Sequence, residues 1–142
     1  MTTAPAAGRR PRASVELIAS LRTARDLIDR RFAEPLDLDA MAAEAGYARY
    51  YFARRFREVF GESPVAYLSR RRIERAKDLL RSANLTVTEI CTLVGFASLG
   101  SFSSRFTALV GCSPQEYRRR AHAAGAAVIP GCFAMEWTRP RG

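Results

Sequence analysis

Guanidinium groups are the chemically able feature of this chain. Between positions 49 and 75 lie eight arginines (49, 54, 55, 57, 70, 71, 72 and 75) against Glu58, Glu62 and Glu74, a local charge of +5. A guanidinium stays charged and presents five donors in a planar fork, which suits bidentate bonding to phosphate or a base edge, not proton transfer. Other reactive types are sparse. Cys91, Cys112 and Cys132 are odd in number and far apart with no C-x-x-C pair, and His122 is the only histidine. Neither a disulfide framework nor a zinc site is indicated, and Cys91 reads as a free thiol in or near a core. No set of nucleophile, base and metal ligands emerges, so an enzyme is not expected and no cofactor is called for.

The whole chain carries 23 basic against 14 acidic residues, a net +9, and Lys77 is its only lysine. Arginine over lysine is what a GC-rich genome gives; the net charge is a separate matter and suits a polyanionic partner, nucleic acid or an acidic membrane surface. Residues 76–110 hold Lys77, Arg81 and Arg105 against Asp78 and Glu89, only +1, so the first half should hold the polyanion harder. At 142 residues there is room for about one domain. No stretch approaches the ~20 apolar residues of a membrane span, and the arginines of MTTAPAAGRRPRAS have no apolar run behind them. A cytoplasmic protein with no membrane partner is expected.

The elements that must position these arginines are almost wholly helical. Leu17, Leu21, Ala24, Leu27 and Ile28 make one stripe of a first helix, with Ser14 as N-cap and an end near Phe32. Asp37 caps a short helix whose face is Leu38, Met41, Ala42 and Ala45, stopped by Gly46. Phe52, Phe56, Val59 and Phe60 line the inner side of the next, stopped by Gly61. Two short helices about a tight turn form the helix-turn-helix pattern. Ser63-Pro64, an N-cap followed by proline at N1, starts a helix of about eighteen residues, ~27 Å long, closed near Asn84.

The same pattern then recurs. Thr86 and Glu89 form a T-x-x-E capping box before Val87, Ile90, Cys91 and Val94, with Gly95 at the turn. A further helix beginning near Ser98 places Phe102, Phe106, Leu109 and Val110 inside, and Ser113-Pro114 starts a last short one through Tyr117. FARRFREVFGESPVAY, from Phe52, returns as FSSRFTALVGCSPQEY from Phe102, an offset of 50. The preceding helices, Asp37 to Gly46 and Thr86 to Gly95, match at 49. The constant positions are inward phenylalanines, glycine stops, Ser-Pro caps and tyrosines. The outward face varies.

Opposite the Phe52/Phe56 face lies Arg54, with Tyr50, Tyr51 and Arg57 on the same outer side. An arginine there can bond guanine O6 and N7 together, worth roughly 1–3 kcal/mol of discrimination. A solvated charge is the plainer reading of Arg54, and partial packing that of the two tyrosines. In the second unit the outward positions are Gly100, Ser101, Ser103 and Ser104. Arg105 stands about 100° round the helix from Ser104, flanking a groove or pairing with an acid. Leu99 is placed to touch a thymine methyl or to pack in the core. For phosphate the basic candidates are Arg49, Arg57, Arg70 and Arg71, with Thr86 and Thr88 at the start of the second unit. Internal salt bridges, for example with Glu74 or Asp78, are the plainer account of Arg72 and Arg75.

These residues resemble the AraC/XylS transcription regulators. The resemblance rests on Ala42 and Gly46, YFARRF at 51–56, GESPVAY at 61–67, the Arg72/Ala76/Leu79-Leu80 pattern, ICTLVGF at 90–96, FSSRF at 102–106 and GCSPQEYR at 111–118. It spans about 14 to 120 and implies an all-α fold: a seven-helix AraC-type domain with two helix-turn-helix subdomains joined by a linker helix. The expected parts are a disordered basic arm (1–13), a first subdomain (14–62), the linker helix (63–84), a second subdomain (85–121) and an apolar tail (122–142) folded back on the domain or on a second copy. The implied function is an activator-type regulator binding promoter or operator DNA. Two reading helices would enter successive major grooves, which repeat every ~34 Å.

The resemblance also places Tyr50, Ala53 and Arg54 at base contacts. Many members carry arginine where Ser104 stands, so the second reader is expected to act through phosphate positioning and shape more than base-specific bonds. With thirteen residues ahead of the first helix, the chain looks like the short stand-alone members: monomeric, or dimeric through the tail, and working with a partner such as RNA polymerase. The rival reading is a protein-interaction module, a regulator's antagonist on the same scaffold. DNA-repair methyl acceptors contain a related helical domain but rely on a cysteine-rich zinc module that these cysteines do not supply.

Overall fold

All but one of the described helices begin where a side chain can satisfy a backbone donor the helix itself leaves open. A computed structural model describes residues 14–125. In it the Leu17 N–H donates to Ser14 Oγ at 3.0 Å at the start of α1 (Val15–Arg31), and the Ala40 N–H to Asp37 Oδ1 at 2.8 Å at the start of α2 (Leu38–Ala45). Only α3 (Arg49–Phe60), which follows Ala48, has no side-chain cap. Ser63, Ser98 and Ser113 cap α4 (Pro64–Ser82), α6 (Leu99–Val110) and α7 (Pro114–Ala123). At α5 (Val87–Leu93) the capping box closes both ways, Glu89 N–H to Thr86 Oγ1 and Thr86 N–H to Glu89 Oε1, each at 3.0 Å. The fold of the described residues is all-α. The basic arm, the tail beyond residue 125 and Cys132 lie outside them.

The repeat extends to individual hydrogen bonds. At the end of α2 the Tyr47 N–H reaches Ala42 O and the Gly46 N–H reaches Ala43 O; at the end of α5, Phe96 reaches Cys91 O and Gly95 reaches Thr92 O, all at 3.1 Å. Both are Schellman closures. Gly61, at φ +84°, and Gly111, at φ +96°, end α3 and α6 in the left-handed region that β-carbons disfavour. Inside the units Phe56 meets Tyr67 at 6.0 Å between ring centroids, and Phe106 meets Tyr117 at 5.6 Å.

The described residues form two cores, and α4 is a wall of both. Leu21, Ile28, Met41, Phe52 and Phe56 pack with Leu68 from the first turns of α4, while Ile73, Leu79 and Leu80 from its remainder pack with Ile90, Phe102 and Phe106. Cys91 belongs to the second core as a buried free thiol whose pKa burial raises. Two expectations need correction. Leu109 is 48% exposed, because Phe102, Phe106 and Val110 already form the inward stripe of α6 and Leu109 falls at its edge. Helix α7 runs to Ala123, not to Tyr117. Glu116 pairs with both Arg119 and Arg120 along it, and Arg118 ties it to α4 through Nε to Leu80 O at 3.1 Å and Nη2 to Ala83 O at 3.3 Å.

Helix α1 is fixed to α4 through Asp29, whose Oδ1 accepts from Tyr67 Oη at 2.6 Å and Arg71 Nε at 3.1 Å. Burial, then the bond to Asp29, pushes the Tyr67 phenol from 10.0 up to about 12. Because the folded state favours the protonated phenol, its contribution is complete below pH 10 and is lost as pH rises through about 12. The stability difference between wild type and Tyr67→Phe is therefore expected to be constant from neutral pH to about 9 and to close above it. Urea unfolding across that range tests this; a difference that holds constant to pH 12 would sink it.

Candidate nucleic-acid interface

Helix α3 exposes its arginines unequally because its inner face is narrow. Phe52 and Phe56 are fully buried, so residues half a turn away must point outward. Tyr50 is 78% exposed, and Arg54 and Arg57 are also at the surface. The Arg54 guanidinium lies 5.6 Å from the centre of the Tyr51 ring, and that ring leans on Tyr47 at 5.3 Å. This stack steadies the fork without using its donors. Tyr51, at 40% exposed, is thus half support and half surface. Ala53 is half-buried beside it.

Arg49 is held at the start of α3 by Asp39 of α2, Nε to Oδ1 at 2.7 Å and Nη2 to Oδ2 at 2.6 Å. The bond to Arg49 holds the Asp39 carboxyl below its usual range and raises the guanidinium's own pKa. Arg70 is also engaged, by Glu62 at 2.7 Å and Glu74 at 3.1 Å, and Arg71 by Asp29 and Glu74. These three cations reach the surface already paired. Arg57 and Arg105 have no carboxylate partner within 4.0 Å among the described residues.

In the second unit the outward face of α6 is small and neutral. Gly100 and Ser104 are exposed, Ser103 is half-buried, and a β-carbon built on Gly100 would meet nothing within 4 Å. Leu99 is 45% exposed, so the core does not claim it. Leu99 and Ser103 line an open groove with Thr86 and Thr88 from the start of α5 and Gln115 from α7. The structure thus brings four of the predicted second-unit residues together and puts Ser104 and Arg105 on a separate groove beside Ser69 of α4.

Sequence reasoning missed the inward arginines. Arg55 is only 9% exposed, on the buried side of α3 with Phe52 and Phe56, where it pairs with Glu58; its Nε has no partner among the described residues. Its spacing of three from Phe52 was the available signal. Arg72, expected in a salt bridge, donates instead to backbone carbonyls, Nε to Phe32 O at 2.5 Å and Nη2 to Glu34 O at 2.8 Å. Arg75 is half-buried near Asp78. No helix among the described residues is long and apolar enough to cross a membrane.

A family model for a helix-turn-helix domain, HTH_18, matches residues 41–120. The chain is 37% identical over 91 residues to the HTH-type transcriptional activator AarP of Providencia stuartii, covering 64% of this chain and 67% of that protein. It is 30% identical over 100 residues to the regulatory protein SoxS of Salmonella typhimurium, covering 70% and 94%. Among solved structures, the DNA-binding domain of the global transcriptional factor AdpA in complex with a target DNA superposes with a TM-score of 0.71 at 29% identity, covering 75% of this chain and 96% of that one.

Proposed function

The chain belongs to the AraC/XylS-type helix-turn-helix family of transcription regulators, and on that premise we propose that it reads duplex DNA with α3 and α6 in successive major grooves. It is a sequence-specific DNA-binding regulator of transcription. The observation that carries the assignment of readers is one scaffold, its turn closed twice by the same pair of backbone hydrogen bonds, with different outward faces. Arg54 bonds a guanine edge, Tyr50, Tyr51 and Ala53 line the same groove, and Leu99, Gly100, Ser103 and Ser104 fit the second groove by shape. Arg57 and Arg105 take phosphates, as do the hydroxyls of Thr86 and Thr88; Arg49, Arg70 and Arg71 do so only by sharing or leaving their carboxylates.

The name of AarP supports activation as the direction of control, which implies RNA polymerase as a second partner. Two unlike readers in one chain make a monomer sufficient for a non-palindromic site, with a cytoplasmic location and no catalytic role. The test is an unbiased selection of bound duplexes from a random library at near-physiological salt. A bipartite motif with its halves about one helical turn apart is expected. Binding that enriches no motif and fades uniformly as salt rises would leave charge attraction alone and favour the protein-interaction reading.

A further inference from the structure

The two helix-turn-helix units touch directly, away from the length of α4. A β-carbon on Gly95, in the turn between α5 and α6, would lie 2.9 Å from both Phe32 O and Ala33 O and 3.0 Å from Ala33 C, at the C-terminal end of α1. The matching glycine of the first unit, Gly46, has nothing within 4 Å. The close approach is therefore a property of this junction and not of the turn. Arg72 of α4 closes it: its fork binds Phe32 O and Glu34 O on one side, and its guanidinium carbon lies 5.7 Å from the centre of the Phe96 ring on the other. One side chain thus ties the end of α1, in the first unit, to the turn that launches α6, in the second.

We propose that Arg72, with Gly95 and Phe96, is a positioning latch that fixes the angle and separation of the two reading helices, and so sets which half-site spacing the protein accepts. This rests on the two-groove reading above. Helix α4 packs into both cores, and a bend or twist along its nineteen residues would let one unit swivel against the other. A third point of attachment off the helix axis removes the swivel. The physical basis is the directionality of a planar fork bound to two carbonyls; a lysine offers a point charge and cannot fix the plane. Burial lowers the Arg72 pKa, consistent with a guanidinium closed into the junction.

One inserted base pair turns the second half-site by roughly 35° and moves it by about 3.4 Å. The experiment measures affinity for the selected bipartite duplex with its spacer unchanged and with one pair added or removed, for wild type, Arg72→Met, Arg72→Lys and, as a control on the same helix, Arg81→Met. Wild type and Arg81→Met are expected to lose about tenfold or more on a shifted spacer. Arg72→Met should lose less than about threefold, and Arg72→Lys should fall between them, with the thermal unfolding midpoint of Arg72→Lys near wild type. Should Arg72→Met fail to fold, Arg72→Lys against wild type decides alone. A folded Arg72 variant that keeps the wild-type spacer penalty overturns the latch, as does a wild type that binds the motif equally at all spacers. A wild type with no motif preference overturns the two-groove reading itself.

Discussion

Replacing Arg54 by alanine is expected to erase a guanine preference at one half-site and to weaken binding to the selected motif by about 5- to 150-fold. The size is that of one good bidentate pair, roughly 1–3 kcal/mol. Three features concentrate the effect on this side chain. Among the described residues its donors are not spent on a carboxylate within 4.0 Å, in contrast to Arg49, Arg70 and Arg71. The Tyr51 ring holds it, so little rotamer freedom is lost on contact. The opposite reader has no cation on its most outward face to compensate, only Gly100 and Ser104 with Arg105 to one side. Competition between guanine-bearing and guanine-substituted duplexes reads the result. If the alanine variant weakens equally on both, Arg54 is a phosphate contact and the base assignment falls.

Phe106→Ala is expected to lower folding stability by about 3–5 kcal/mol, a large share of the ~5–15 kcal/mol available to a domain of this size. The ring is fully buried in the second core, 5.8 Å from Phe102 and 5.6 Å from Tyr117 between centroids. Helices α4, α6 and α7 all border that space, so it cannot collapse cheaply. Leu109→Ala, three residues along the same helix, should cost no more than about 0.5 kcal/mol because its side chain is half in solvent. Urea denaturation of both variants checks the pair. Equal losses would mean that Leu109 is core after all, and that the inward stripe of α6 is drawn too narrowly.

The sequence alone determined the helices, their caps and the duplication. Ser14, Asp37, Ser63, Ser98 and Ser113 accept from N–H groups three residues ahead, and Thr86 and Glu89 close their box, because capping is local and acts through neighbours in the chain. The inward phenylalanines were legible for the same reason: a period of 3.6 writes one buried face into the order of residues. The exposed Arg54 and Tyr50 follow as the complement of that face.

Only the tertiary structure decided which partner each arginine of this stretch takes. Arg54, Arg55, Arg70 and Arg72 are the same side chain in the same stretch, yet one lies over a ring at the surface, one is buried beside Glu58, one is shared by two glutamates, and one binds the carbonyl ends of α1. A long charged side chain takes its partner from whatever the fold brings within its reach, and for Arg72 that was residues 38 and 40 positions away. The length of α7 and the exposure of Leu109 escaped local reasoning likewise. The first rests on Arg118 finding Leu80 and Ala83 across the domain, as well as on pairs within its own helix; the second rests on none of the described elements covering the edge of α6.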